Sequence, residues 1–207
     1  MLMLQYVFCG FFLSLLGSIP IGMITLTILA RTIHAGKKAG IAVALGATVA
    51  EFTYTYIALK FLKLLLGTSM VSVSIKLVSL VLFIGLGVYY LKRIRNDQFN
   101  LKPPVELYQK QDFLKGLIVG FLNMLIIPFW LVVGAALEDR GLSFDDQQKV
   151  IVFSLAAAFG ALVVFLLYVR MVKLISRRIE HAIKYTDRAV GVLFLGLAIF
   201  QIISLLS

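Results

Sequence analysis

The sequence predicts an all-α fold: a polytopic membrane protein of six transmembrane helices in two inverted three-helix repeats. Three observations carry this. The 207 residues are 61% apolar and 14% charged, with a mean hydropathy of +1.00, whereas soluble domains run at about 45–50% apolar and about 25% charged. Six segments, roughly 3–30, 39–62, 73–91, 113–137, 149–170 and 188–206, reach the length of about 20 apolar residues that a helix needs to cross the hydrocarbon. The longest polar stretch, about 92–112 with Pro103-Pro104, leaves three of these segments on each side.

Each element follows in turn. Long continuous apolar runs satisfy their own backbone as helices, while a membrane barrel would show alternating strands of about 10 residues. The first run, MLMLQYVFCGFFLSLLGSIPIG, lacks the basic start and small-residue cleavage site of a secretory signal, and Phe8 before Cys9 does not suit a lipoprotein. It reads as the first span. Three helices per half is an odd number, so the second half enters the membrane inverted relative to the first, the ground plan of many secondary transporters. The chain therefore divides into a first repeat at 1–95, a cytoplasmic linker at 96–112 and a second repeat at 113–207, within one membrane domain over 1–207. The repeat rests on spacing, without residue-by-residue identity between the halves.

Orientation follows from the basic residues. The connections after spans 1, 3 and 5 hold 15 Lys and Arg, Arg31 and Lys115 among them, and the opposite side holds five: Lys60, Lys63, Lys76, Arg140 and Lys149. The positive-inside rule puts the first group in the cytoplasm and both termini outside it. A bacterial inner (plasma) membrane is the expected location. The segment 170–188 places Leu174, Ile175, Ile179 and Ile183 among basic residues, as an interfacial helix on anionic headgroups would.

Composition also excludes several classes. The net charge of +10 sits in clusters between apolar runs and not along one basic face, which argues against nucleic acid. One cysteine, Cys9, rules out an internal disulfide and a two-thiol relay. No cofactor and no metal site are expected. An enzyme would need a nucleophile with a base, or clustered acids and histidines at membrane depth, and none is visible. His34 and His181 lie among basic residues as solvated side chains.

The candidate site begins with two helix interruptions. Span 1 contains Gly17-Ser18-Ile19-Pro20-Ile21-Gly22, and span 4 contains Asn123-Met124-Leu125-Ile126-Ile127-Pro128. Pro20 and Pro128 stand 108 positions apart, close to the 110 between positions 3 and 113 where their spans start. A proline at that depth removes a backbone hydrogen bond and leaves polar groups for neighbours, water or a ligand. Amides freed after Gly22 suit a substrate carboxylate, with Thr25 and Thr27 nearby. The alternative is a packing kink.

Glu51 is the only carboxylate deep inside an apolar run. An acid at that depth pairs, faces a wet cavity or holds a proton, so it is the candidate for proton coupling or for binding a substrate ammonium; a hydrogen bond to another helix is the plainer reading. Thr48 and Thr55 share its helical face, with Thr53 also close in sequence. Asn123 needs amide partners, and Trp130 follows Pro128 by two residues. Lys60 and Lys63 snorkel at the end of span 2, and Gly46 with Ala42 and Ala50 permits close helix packing.

These residues carry a resemblance. Gly17-Ser-Ile-Pro-Ile-Gly-Met23, then His34-Ala-Gly-Lys-Lys-Ala-Gly40, then Gly46 and, five residues on, Glu51 resemble the lysine exporter family of amino-acid efflux proteins. That family has a Pro-Gly-Pro break in its first helix, a Gly-x-[Lys/Arg]-x-Gly turn and an acid, more often aspartate, after the glycine of its second helix. Asn123 resembles the Asn-Pro of its fourth helix. Met23 replaces a second proline, Pro20 is displaced by one residue, and Met124 replaces the proline after Asn123. The resemblance implies an exporter of amino acids or similar small zwitterions; the two breaks and the intramembrane acid make Pro20, Gly22, Thr25, Asn123 and Pro128 the candidates for binding substrate and Glu51 the candidate for coupling to protons. The partners expected are a small-molecule substrate and the lipid bilayer; a homo-oligomer is compatible with this. An exporter of metal cations and a non-transporting scaffold are the alternatives.

Overall fold

The computed structural model describes residues 2–66, 69–92 and 111–176, with scattered positions between 188 and 203. Every regular element among the described residues is an α-helix: α1 (Leu2–Ser18), α2 (Met23–Ala35), α3 (Lys37–Leu66), α4 (Ser69–Lys92), α5 (Asp112–Leu122), α6 (Ile126–Glu138), α7 (Gln147–Arg170) and the short α8 (Val172–Ser176). Two stretches, Lys37–Leu62 and Gln147–Arg170, are long and apolar enough to cross a membrane unaided. Two further spans are broken: α1 and α2 meet at 70°, and α5 and α6 at 61°. The helix expected over 73–91 is α4. Part of the sixth span and most of the 170–188 segment lie outside the described residues, as do Pro103-Pro104 and His181. Scattered described positions between 188 and 203 are helical.

The unbroken α3 and α7 pack against each other and form the frame. On it lie the first halves of the two broken rods, α1 along α7 and α5 along α3. Both crossings depend on glycine. A Cβ on Gly46 would lie 2.0 Å from the Phe113 carbonyl oxygen, and one on Gly116 would lie 2.0 Å from that of Val43. In the other crossing, a Cβ on Gly160 would lie 2.3 Å from the Phe11 carbonyl oxygen and one on Gly10 2.6 Å from that of Phe153. Backbone is thus packed on backbone, as small residues permit in lipid where there is no hydrophobic drive to hold helices together. Elsewhere α4 runs past the C-terminal segment at Gly87 and Gly191, with Phe83, Phe194, Val132 and Ala198 buried together.

Two further apolar clusters lie along the α3–α7 frame. One cluster joins Ile24 and Ile28 of α2, Val43, Ala44 and Ala47 of α3, Val119 of α5 and Ala161, Phe165 and Val169 of α7. The other joins Tyr6 of α1, Ala58, Leu59 and Leu62 of α3, Trp130 and Val133 of α6, and Phe153 and Ala157 of α7. The interruptions, at 19–22 and 123–125, fall between the two clusters.

The packing predicts a sharp contrast among glycines. Gly46→Ala and Gly116→Ala should each destabilise the protein by about 1–3 kcal/mol through overpacking against backbone. Gly85→Ala, where nothing lies within 4 Å, should cost nothing measurable. Thermal unfolding midpoints of the purified protein in detergent would check this.

Candidate functional site

The site is built at the two interruptions. α1 ends at Ser18; the chain turns through a bond from the Gly22 amide to the Pro20 carbonyl at 3.0 Å, and α2 restarts with Gly22 as its N-cap. The second rod repeats this, with the Met124 amide donating to the Leu122 carbonyl at 3.0 Å. Neither α2 nor α6 has a side-chain cap at its N-terminus. The opening amides of α2, from Met23 to Thr25, are without partners among the turn and cap bonds, whereas those of α6 are taken up, Ile126 by the Asn123 carbonyl, Ile127 by that of Met124 and Phe129 by that of Leu125; both half-helices carry the positive end of a helix dipole.

Here the structure corrects the expected equivalence of Pro20 and Pro128. The matching turns pair Pro20 with Leu122 and Gly22 with Met124. Pro20 lies in the interruption itself, while Pro128 lies in the first turn of α6, where a missing N–H costs no helical hydrogen bond. The second break is made by Asn123-Met124-Leu125, with Asn123 closing α5 through its amide to the Gly120 carbonyl at 3.1 Å.

Two tyrosines hold the carbonyls at the breaks. The Tyr168 hydroxyl of α7 donates to the Ile19 carbonyl, and the Tyr54 hydroxyl of α3 donates to the Phe121 carbonyl. Each tyrosine stands eight residues after its crossing glycine, Gly160 before Tyr168 and Gly46 before Tyr54. Each carbonyl stands eight residues after the one that crosses the glycine, Phe11 before Ile19 and Phe113 before Phe121. Neither tyrosine is evident as a site residue from composition or hydropathy. The shared Gly-x7-Tyr spacing is the signal in the sequence that finds them.

Glu51 is 7% exposed and lies on α3 between the residues of the two apolar clusters. The Trp130 indole N–H donates to its Oε1 at 3.1 Å. The Ser14 hydroxyl of α1 faces the same carboxyl group; it is buried and has no hydrogen-bond partner among the described residues. No cation lies within ion-pair distance of Glu51 among the described residues. Counting along the helices, Ser14 and Trp130 stand about 7 Å from their breaks at 1.5 Å per residue. One acid and one unpartnered hydroxyl thus occupy a thin polar layer beside the two breaks. Beyond Trp130 an aromatic chain continues through Phe153 and Phe144 to Tyr6, at ring separations of 5.4, 5.2 and 5.7 Å. The Tyr6 hydroxyl ties the connection after α6 to α1 by donating to the Ser143 carbonyl at 2.7 Å.

The threonines are placed differently from Glu51 and Trp130. Thr25 and Thr27 are buried in α2, and the Thr27 hydroxyl donates back to the Met23 carbonyl at 2.8 Å. Thr48, Thr53 and Thr55 likewise donate to the carbonyls of Ala44, Val49 and Glu51. The hydroxyls of Thr27, Thr48, Thr53 and Thr55 serve their own helices, and the Glu51 carboxyl meets Trp130 instead. Lys60 stands over the Tyr56 ring at 5.9 Å. Arg31 and Lys115, expected in the connections, are instead buried within α2 and α5, where both reach Asp112.

Apolar spans interrupted in this way describe a multi-pass membrane protein of the transporter class. The family model described as LysE type translocator matches residues 15–205, so the chain belongs to that family, as the resemblance implied. Searches of curated proteins and of solved structures give no match to the chain.

The two tyrosine contacts predict that Tyr54→Phe and Tyr168→Phe each lower stability by about 0.5–1.5 kcal/mol, the worth of a typical hydrogen bond. Because the contacts lie on different rods, the double variant should lose close to the sum. Chemical or thermal unfolding in detergent provides the measurement.

Proposed function

We propose that the protein is a secondary transporter of the bacterial inner membrane that exports amino acids or similar small zwitterions in exchange for protons. The observation that carries this reading is the position of Glu51: a buried acid with no ion-paired cation among the described residues, between two apolar clusters and beside two half-helices that lack side-chain caps. Membership of the translocator family supports it. So does the matched construction of the rods, each crossing a glycine and held at its break by a tyrosine, as expected of two inverted three-helix halves.

In this mechanism the substrate carboxylate binds the amides that open α2 after Pro20 and Gly22, where dipole and free N–H groups favour an anion. Asn123 and the first turn of α6 with Pro128 face the same layer from the second half, and Thr25 lies one turn into α2. Glu51 alternates between a protonated state and one that is ionised or occupied by the substrate ammonium, as the halves rock about the layer. In this reading the α2–α3 turn faces the cytoplasm and the α6–α7 connection the outside, with both termini outside, which the distribution of basic residues supports. A carrier that loads a zwitterion from the cytoplasm and takes up a proton from outside needs one such switchable acid, and Glu51 supplies it.

The test uses the full chain in proteoliposomes loaded with a mixture of radiolabelled amino acids, with and without an imposed pH gradient. Wild-type protein should release one or more of them faster under the gradient. Glu51→Gln should insert and express normally while losing that acceleration. Undiminished gradient-driven efflux by the variant would remove Glu51 from the mechanism, and absence of any amino-acid flux in the wild type would overturn the substrate class.

A further inference from the structure

α2 and α5, the halves of the two rods on the side of the α2–α3 turn, meet in a buried ionic cluster. The Arg31 Nε–H donates to Asp112 Oδ1 at 2.6 Å, and the Lys115 Nζ lies 3.5 Å from the same oxygen. Arg31 is 7% exposed, Asp112 8% and Lys115 1%. Two cations therefore share one carboxylate in a nearly dry enclosure, leaving one positive charge uncompensated among the described residues. The guanidinium is also only partly used. It meets Asp112 through Nε, while Nη2 is buried with no hydrogen-bond partner, whereas an arginine that fully engages a carboxylate presents a two-pronged face.

We propose that Arg31, Lys115 and Asp112 form a receiving site for a carboxylate anion, set on the route to the breaks. The proposal rests on the export reading for the direction of travel. Each property of the cluster selects that ligand. A carboxylate brings the single negative charge the enclosure lacks and two acceptor oxygens that fit the guanidinium fork. A neutral molecule leaves the charge unbalanced, and a cation is repelled. Position agrees: Arg31 is nine residues along α2 from Gly22, and Lys115 eight before Asn123, so both stand about 12–14 Å from the breaks. Glu51 lies on the far side of those breaks, with Trp130 and Ser14. Because Nη2 is enclosed, the incoming carboxylate gains it by displacing Asp112 from Arg31 while Asp112 keeps Lys115, so the four charges balance and the tie between α2 and α5 is released. The same event that admits the ligand thus loosens the contact between the rods, and the freed amides after Gly22 are the next anion site along the path.

The purified full chain can be tested through Trp130, its only tryptophan, by following thermal unfolding in phosphatidylcholine nanodiscs with sodium acetate, glycine, glycinamide hydrochloride or sodium chloride at matched ionic strength. Acetate and glycine should raise the midpoint by roughly 2–4 °C at saturation, and glycinamide and chloride should not. Arg31→Gln should abolish the rise. Asp112→Asn, which removes the competing carboxylate, should lower the half-saturating acetate concentration about tenfold. Equal midpoints in all four salts would overturn the site, as would an undiminished acetate shift in Arg31→Gln. If Arg31→Gln does not fold, an unchanged half-saturation in Asp112→Asn overturns it alone. Stabilisation by phosphatidylglycerol nanodiscs that acetate cannot displace would assign the cluster to a lipid phosphate and reject the carboxylate. Failure here is separable from failure of the export reading. Glu51→Gln should keep the acetate shift while losing gradient-driven efflux, and a wild type with the shift but no efflux would retain the site and discard the transporter.

Discussion

Everything in this fold answers to one constraint: at membrane depth no backbone N–H or C=O finds bulk water, so a broken helix must find partners within the protein. The two broken rods meet it in the same way. A tight turn consumes one amide at each break, and a tyrosine from an unbroken helix takes a carbonyl. The tyrosines can reach because the rods lie against α3 and α7 with no side chain between them, at Gly46 and Gly160. Close crossing and helix breakage are thus one design. What remains unmatched, the first amides of α2, is the polar surface that the breaks leave open.

The division of the apolar interior gives that surface its setting. Two clusters, each tightly packed, lie on either side of the breaks, and the layer between them holds Glu51, the Trp130 indole N–H and the Ser14 hydroxyl. A packed cluster resists deformation while a thin polar layer has few contacts to lose, so relative motion of the halves is least costly there. The matched construction is not complete. Five residues after its glycine α3 carries Glu51, whereas α7 carries Phe165 at the same spacing. The polar layer thus holds its carboxyl group on one half alone, and the cationic cluster of Arg31 and Lys115 lies well apart from it on the opposite side of the breaks.

Much of this was legible in the residues. The apolar runs show membrane helices, Glu51 is conspicuous by its depth, and the motif around Gly17–Glu51 identifies the family that the family model matches. The break in span 4 was legible as a region but not in its register. Proline drew the expected break to Pro128, yet proline is harmless in the first turn of a helix, and the turn formed five residues earlier, where Asn123 closes α5. Tyr54 and Tyr168 were hidden because a tyrosine in an apolar run is ordinary, and only its distance from a glycine in the other half gives it meaning. Arg31 and Lys115 were hidden for the opposite reason. Basic residues near span ends are read as loop charges, and nothing local shows that Arg31 and Asp112, 81 positions apart, bury their charges together with Lys115.

By itself the sequence determined the solvent this protein folds in, its helical secondary structure and the depth of its lone acid, because hydrophobic length and the cost of bare backbone act along the chain without reference to its other parts. Tertiary structure alone decided which carbonyl each tyrosine holds, that Trp130 and not a threonine meets Glu51, and that three charges leave the surface to meet between the rods. Those outcomes depend on how closely two helices approach, and that distance is set by glycines facing backbone far away in the chain.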